Sequence, residues 1–157
     1  MAPPVEVYLS YGVSRRGLPS PASFRRWTLA ALTAAHRCEP AELSIRIVGL
    51  REGRALNRRY RGKDDATNVL SFALDSERPG LPAGVDPHLL GDIAICASVV
   101  AREARSQGKN RRDHYAHLTV HGMLHLLGHD HQTLEDASRM ETLETRILAG
   151  LGVADPY

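Results

Sequence analysis

The sequence predicts an α+β fold: a single compact domain over residues 1–157, with a β-sheet of about four strands packed with helices and one histidine-bearing helix at its centre. Three observations predict it. Four short stretches, 5–9, 43–49, 68–72 and 89–96, have the apolar content and alternation of strands. Apolar residues elsewhere recur at helical spacing, behind residues suited to start a helix. A chain of 157 residues with 43% apolar and 24% charged content can bury one core and is short for two.

In order, Val-Glu-Val-Tyr-Leu at 5–9 alternates and predicts the first strand. Ser20 and Pro21 then read as N-cap and first residue of a helix, with Phe24, Trp27, Ala31, Ala34 and Ala35 on its core face. In 43–49, Leu43, Ile45 and Ile47 face a core, with Ser44 and Arg46 on the other side. A short helix over about 51–59 is expected to turn Leu56 and Tyr60 inward and most of its arginines outward. Residues 68–72 and 89–96 are the remaining strands, and Gly91 inside the last predicts close approach of another backbone or a ligand. Between them, Pro79, Gly80, Pro82, Gly84 and Pro87 mark 75–88 as a mobile surface loop or lid. A helix from about Ser98 ends at Gly108. Asn110 with Asp113 caps the next, running to about Leu127, whose leucines on several sides make it a central helix. Thr133 and Asp136 cap the last, with Ala137, Met140, Leu143, Ile147 and Leu148 as its stripe and Gly150 as its end.

Charge is spread unevenly behind a net +2. Arg51, Arg54, Arg58, Arg59, Arg61 and Lys63 stand against Glu52 alone, whereas Glu135, Asp136, Glu141, Glu144 and Asp155 make the C-terminal region acidic. That asymmetry suits a polyanion on one face. Cys38 and Cys96 lack metal-finger spacing and read as buried thiols in a reducing cytosol. The N-terminus has no signal-peptide pattern, and no apolar run approaches the ~20 residues of a membrane span, so a cytoplasmic protein is expected.

The chemistry concentrates in His121-Gly-Met-Leu-His125-Leu-Leu-Gly128-His129-Asp130-His131, which holds four of the chain's eight histidines. On a helix, His121 and His125 are one turn apart on one face. Gly128 can end that helix in the left-handed conformation and return His131 toward them. Three neutral imidazoles suit a catalytic zinc ion with its fourth position open. Iron, nickel and copper are compatible by ligand type, and zinc is preferred. Metzincin proteases share this spacing but carry Glu, the general base, directly after the first histidine. Here Gly122 stands there, which argues against proteolysis. His114 and His117 extend the same helix face, so His117 can bond a ligand or the substrate, or be a satisfied buried histidine. Asp130 can orient a ligating imidazole or cap the turn.

Taken together, these segments resemble the YbeY family of bacterial endoribonucleases, the rRNA maturation factors. The matching stretches are Tyr60-Arg-Gly-Lys-Asp64, Thr67-Asn-Val-Leu-Ser-Phe72, Leu89-Leu-Gly-Asp-Ile93, the histidine stretch and the final Asp155-Pro-Tyr157, spanning roughly 43–157. The resemblance implies zinc on His121, His125 and His131, and a zincin-like α+β fold with one mixed sheet. It implies cleavage of single-stranded RNA, 16S rRNA 3′-end maturation and ribosome quality control, with the 16S rRNA precursor and the ribosome or its small-subunit proteins as partners. It places the family's functional arginine on Arg61. Two departures are visible: Ala66 stands where the family commonly has proline, and His129 where tyrosine is frequent.

On this basis the zinc and Arg61 are expected to clamp the oxygens of the scissile phosphodiester. Arg51, Arg54, Arg58, Arg59 and Lys63 would hold flanking phosphates. The base is the zinc-bound hydroxide itself, His117 or no protein group, and the attacking group is that hydroxide or the RNA's own 2′-OH; Arg61 and His117 are the candidate catalytic residues. Two other classes fit the same residues: a metal-dependent hydrolase of another bond, and a non-catalytic ribosome-assembly factor with a structural zinc whose fourth position His129 would close.

Overall fold

The computed structural model describes residues 4–74 and 88–157, so the loop expected at 75–88 lies outside the described residues except for His88. The element order is β1 (Val5–Tyr11), α1 (Pro21–Ala34), β2 (Ala41–Val48), α2 (Leu50–Arg61), β3 (Val69–Ala73), β4 (Leu89–Cys96), α3 (Ala97–Gln107), α4 (Arg111–Leu126) and α5 (Leu134–Gly150). Among the described residues, five helices pack with one mixed sheet of order β1-β2-β4-β3, as the predicted α+β class requires. β1, β2 and β4 run parallel, and β3 joins β4 antiparallel at the edge.

Alternation in the strands decides which face is buried. Leu43, Ile45 and Ile47 of β2 and Ile93 and Ile95 of β4 are almost fully buried, in one cluster with Phe24, Trp27, Tyr115, Leu124 and Leu148 from the helices. Ten of the sixteen residues of α4 are buried, which makes it the central helix of that layer. On the other face, Leu56 of α2 packs with Val48, Cys96 and Val99 in a smaller cluster.

Local chemistry explains the helix ends. The side chains of Ser20, Asn110 and Thr133 each accept a hydrogen bond from the backbone N–H three residues on, satisfying a donor that a helix start leaves open. Gly91 has φ +145, and a Cβ there would lie 2.1 Å from the carbonyl oxygen of Phe72. Its register partner is Ala73 of β3, so the expected close approach is that of the edge strand's backbone.

Four local expectations are corrected. Tyr60 is 48% exposed and lies against Phe72 with ring centroids 5.0 Å apart, because the inward positions of α2 are Gly53 and Asn57, one turn apart. Of the two cysteines only Cys96 is buried; Cys38 follows α1 at the surface, and both are free thiols. The last helix includes Gly150, and the left-handed residue beyond it is Gly152, at φ +78. Glu144, counted above among the acids of the C-terminal region, is fully buried and so is no part of a charged face. Among the described residues, no helix is long and apolar enough to cross a membrane.

Candidate functional site

The end of α4 positions the site. His121 and His125 are one turn apart on its open side, with ring centroids separated by 4.7 Å. Leu127 caps the helix, and Gly128 takes φ +97. The backbone N–H of Gly128 then donates to the carbonyl of His125, and that of His129 to Leu124, so the chain folds back across the helix end. Asp130 accepts from the backbone N–H of His131 at 2.7 Å and approaches the His131 ring nitrogen at 3.6 Å. The result brings one nitrogen from each of His121, His125 and His131 within 4.8 Å of one another.

These nitrogens fit a metal. The Nε2 atoms of His121 and His125 are 3.1 Å apart. Two nitrogens bound tetrahedrally at ~2.05 Å stand about 3.3 Å apart. Burial, together with the neighbouring His121 and His131, lowers the His125 imidazole to about 4, so it is neutral near pH 7, as a ligand must be. His129 lines the same groove, but among the described residues its ring does not join the three nitrogens.

Behind the triad stands Glu144, which sequence reasoning missed. Its Oε1 accepts a hydrogen bond from Nδ1 of His121. Its Oε2 accepts from the Tyr157 hydroxyl and from Nε2 of His117 at 3.2 Å. Burial alone would raise this carboxyl, but the bonds from His117, His121 and Tyr157 outweigh it and hold it at about 2. A His121 that donates through Nδ1 carries its lone pair on Nε2, the nitrogen facing His125. A signal was available: Glu144 lies four residues from both Met140 and Leu148, inside the apolar stripe of α5, where an acid needs partners. His117, His121 and Glu144 also lie close enough to hold one ion. Three donors already converge on that carboxylate, and the Nδ1 of His121 is committed to it.

His117 therefore faces Glu144 and Tyr157 and is not among the residues lining the groove. His114 is buried one turn earlier, its Nε2 2.9 Å from Glu103 of α3, where it ties α4 to its neighbour.

Arg61 does share the groove with the histidines. This depression of about 880 Å³ is lined by Arg61, Lys63, Asn68, Ser71 and the three histidines, among others. Arg61 is the last residue of α2, and Gly62 at φ +70 turns the chain away behind it. Its Nη2 donates to the carbonyl of Ser71 at 2.9 Å, and its guanidinium lies 5.1 Å from the centre of the Phe72 ring. The Ser71 hydroxyl donates to the carbonyl of Gly122 at 3.2 Å. The edge strand thus links the arginine to the histidine helix through one residue. The arrangement sets a cluster of metal-ligating nitrogens and a guanidinium in one open groove, a combination suited to an anionic substrate.

Comparison with known proteins agrees. A family model described as Endoribonuclease YbeY matches residues 19–152. The endoribonuclease YbeY of Stenotrophomonas maltophilia (strain R551-3) is 58% identical over 153 residues, covering 98% of this chain and 93% of that protein. That of Alkalilimnicola ehrlichii is 55% identical over 159 residues, covering 99% and 93%. The solution structure of TM1509 from Thermotoga maritima shares the fold, with a TM-score of 0.58 over 94% of this chain and 92% of that one, at 18% identity.

Proposed function

The chain belongs to the YbeY endoribonuclease family, and from that premise we propose that it is a zinc-dependent endoribonuclease selective for single-stranded RNA, organised as one domain over residues 1–157. Its substrate in the cell is the 16S rRNA precursor, cleaved in 3′-end maturation and in ribosome quality control, in the cytoplasm and beside small-subunit proteins of the ribosome. The observation that carries the reading is the shared groove of Arg61 and the three histidines.

His121, His125 and His131 hold the zinc ion. When bound, zinc supplies a Lewis acid that acidifies a water molecule and polarises a phosphoryl oxygen. Arg61 binds a non-bridging oxygen of the scissile phosphate, and its tie to Ser71 holds the guanidinium on the wall of the groove the histidines line. Lys63 adds positive charge on the same wall. Glu144 holds His121 in the ligating tautomer. His117, one of the possible bases in the sequence, acts through Glu144 as a positioning residue, because its Nε2 reaches that carboxylate and the residue does not line the groove.

Cleavage of a single-stranded RNA by wild type, His121→Ala and Arg61→Ala, with metal analysis of each, tests the reading. His121→Ala should lose metal and activity together. Arg61→Ala should keep its metal and lose roughly 100-fold in kcat/KM, the scale of a lost transition-state donor. Metal loss with unchanged cleavage would overturn metal catalysis, and full activity in Arg61→Ala would overturn the phosphate clamp.

A further inference from the structure

α2 carries more arginine than the groove uses. Arg51, Arg54, Arg58 and Arg61 stand at intervals of three, four and three residues, and all are exposed. At 100° per residue they fall within about 80° of one another, in a row along one helix face. Only Arg61 lines the metal groove. Arg51, Arg54 and Arg58 run away from it and, with Leu50, Ala55 and Asp64, line a separate hollow of about 510 Å³. Their linings are neighbours along the chain after Gly62, where Asp64 borders the hollow and Lys63 and Asp65 border the groove.

The hollow already holds an anion of the chain's own. Arg54 donates through Nε to Asp64 Oδ1 at 2.9 Å and through Nη2 to Oδ2 at 2.8 Å, the two-pronged geometry by which a guanidinium also grips a phosphate. The pair is solvent-exposed, so little holds it against a competing anion. Leu50, 52% exposed, adds an apolar surface beside the charges.

We propose, on the reading of the groove as an RNA site, that this face of α2 is a second RNA-binding site. It takes the backbone phosphates of the strand beyond the cleaved bond, and Asp64 is an internal competitor that a phosphate displaces. Steps of three and four residues are about 4.5–6 Å along the axis, on the scale that separates neighbouring phosphates of one strand. Arg61 is the shared end of both sites, so one strand passes from the metal onto the row. An acidic peptide would meet the same guanidiniums, but nothing would carry it on into the groove.

The test uses the full metal-loaded chain and 2′-O-methyl oligouridylates of about 5 and about 15 nucleotides, with binding followed by fluorescence anisotropy over a range of salt. The longer strand should bind at least tenfold more tightly to wild type. Arg51→Ala/Arg54→Ala/Arg58→Ala should erase that advantage and lower the slope of log K against log salt by roughly 2. Asp64→Asn should strengthen binding of the longer strand several-fold at low salt, an effect that misfolding cannot mimic. Arg61→Ala should weaken both lengths and keep the difference between them. A triple variant with the wild-type slope and length advantage would overturn the proposal, as would tighter binding of an acidic peptide than of the longer RNA. If length-dependent binding follows this pattern but no RNA is cleaved, the nuclease reading falls and the second site stands. If cleavage is present and the triple variant matches wild type at both lengths, the second site alone falls.

Discussion

His121 donates through Nδ1 to Oε1 of Glu144, a carboxylate fully buried in the last helix. That bond joins a ring at the groove to the C-terminal segment, since the other oxygen of Glu144 holds Tyr157 and His117. Three donors converge on one buried acid, and one of them is a candidate metal ligand. The carboxylate makes that ligand more basic and fixes which nitrogen faces the groove.

Glu144→Gln should therefore lower metal affinity by about 10- to 100-fold while the fold survives. The glutamine oxygen can still accept from His121, but its amide group offers hydrogens where Tyr157 and His117 also donate. Glu144→Ala leaves three donors without an acceptor in a buried site and should cost about 3 kcal/mol. Competition with a chromophoric chelator reads the first effect, and urea unfolding the second. Wild-type metal retention in Glu144→Gln would show that the negative charge has no part in holding the metal.

Acid should destabilise the metal-free protein in two windows. His125 is lowered from 6.5 to about 4 by burial and by its histidine neighbours, so between those values the unfolded chain binds more protons than the folded one. Stability then falls as pH falls from 6.5 to about 4, by about 2 kcal/mol. Glu144, whose bonds from His117, His121 and Tyr157 overcome the effect of burial, is lowered from 4.5 to about 2. Its contribution is complete above 4.5 and is lost as pH falls toward 2. Urea midpoints of the metal-free chain from pH 8 to pH 4 measure the first window. His125→Asn should flatten it, and a wild-type profile already flat there would contradict the assignment.

Tyr157→Phe separates the hydroxyl from the rest of the last residue. The substitution keeps the ring and its contact with His117, so little packing is lost, whereas Glu144 loses one of its three donors. The expected cost is about 1 kcal/mol at neutral pH. The carboxyl should also rise, moving the lower acid transition to higher pH. Circular dichroism during acid titration measures that movement. An acid transition in place, with the loss at neutral pH intact, would assign the effect of Tyr157 to packing alone.

The parts legible in the sequence are those decided by neighbours along the chain. Ser20, Asn110 and Thr133 cap helices with atoms three residues away, and β2 shows its buried face by alternation. The convergence of the three histidines was legible for the same reason, since one helical turn and one left-handed glycine determine it. What was not legible depends on contacts across the fold. Glu144 counts as a surface acid until α5 is laid against α4, 23 residues from the histidine it serves. Tyr60 looks like core until the contact face of α2 is seen to run through Gly53 and Asn57. Strand order, with the edge strand β3 beside the histidine groove, follows from pairings that no local pattern encodes.

Gly122 joins both kinds of reasoning. In sequence it is the missing general base of a peptidase; in the structure it is buried beneath the sheet. A Cβ at 122 would lie 3.1 Å from both the Ser71 hydroxyl oxygen and Cδ1 of Ile93, and 3.2 Å from Cγ2 of Ile93. The close approach lets Ser71 bond the carbonyl of Gly122 while its own carbonyl holds Arg61. Gly122→Ala makes the side chains of Ser71 and Ile93 give way and should cost about 1–3 kcal/mol, offset in part by the better helix propensity of alanine. A shifted Ser71 loosens the residue whose carbonyl holds Arg61, so RNA cleavage should fall while the metal stays bound. Gly122→Glu should not create a peptidase, because a side chain of that size has no room between α4 and β4; it should lower the urea midpoint far more than Gly122→Ala. A stable Gly122→Glu variant that cleaves casein would show that position 122 can reach the metal, and would overturn this account of why the chain lacks a protease base.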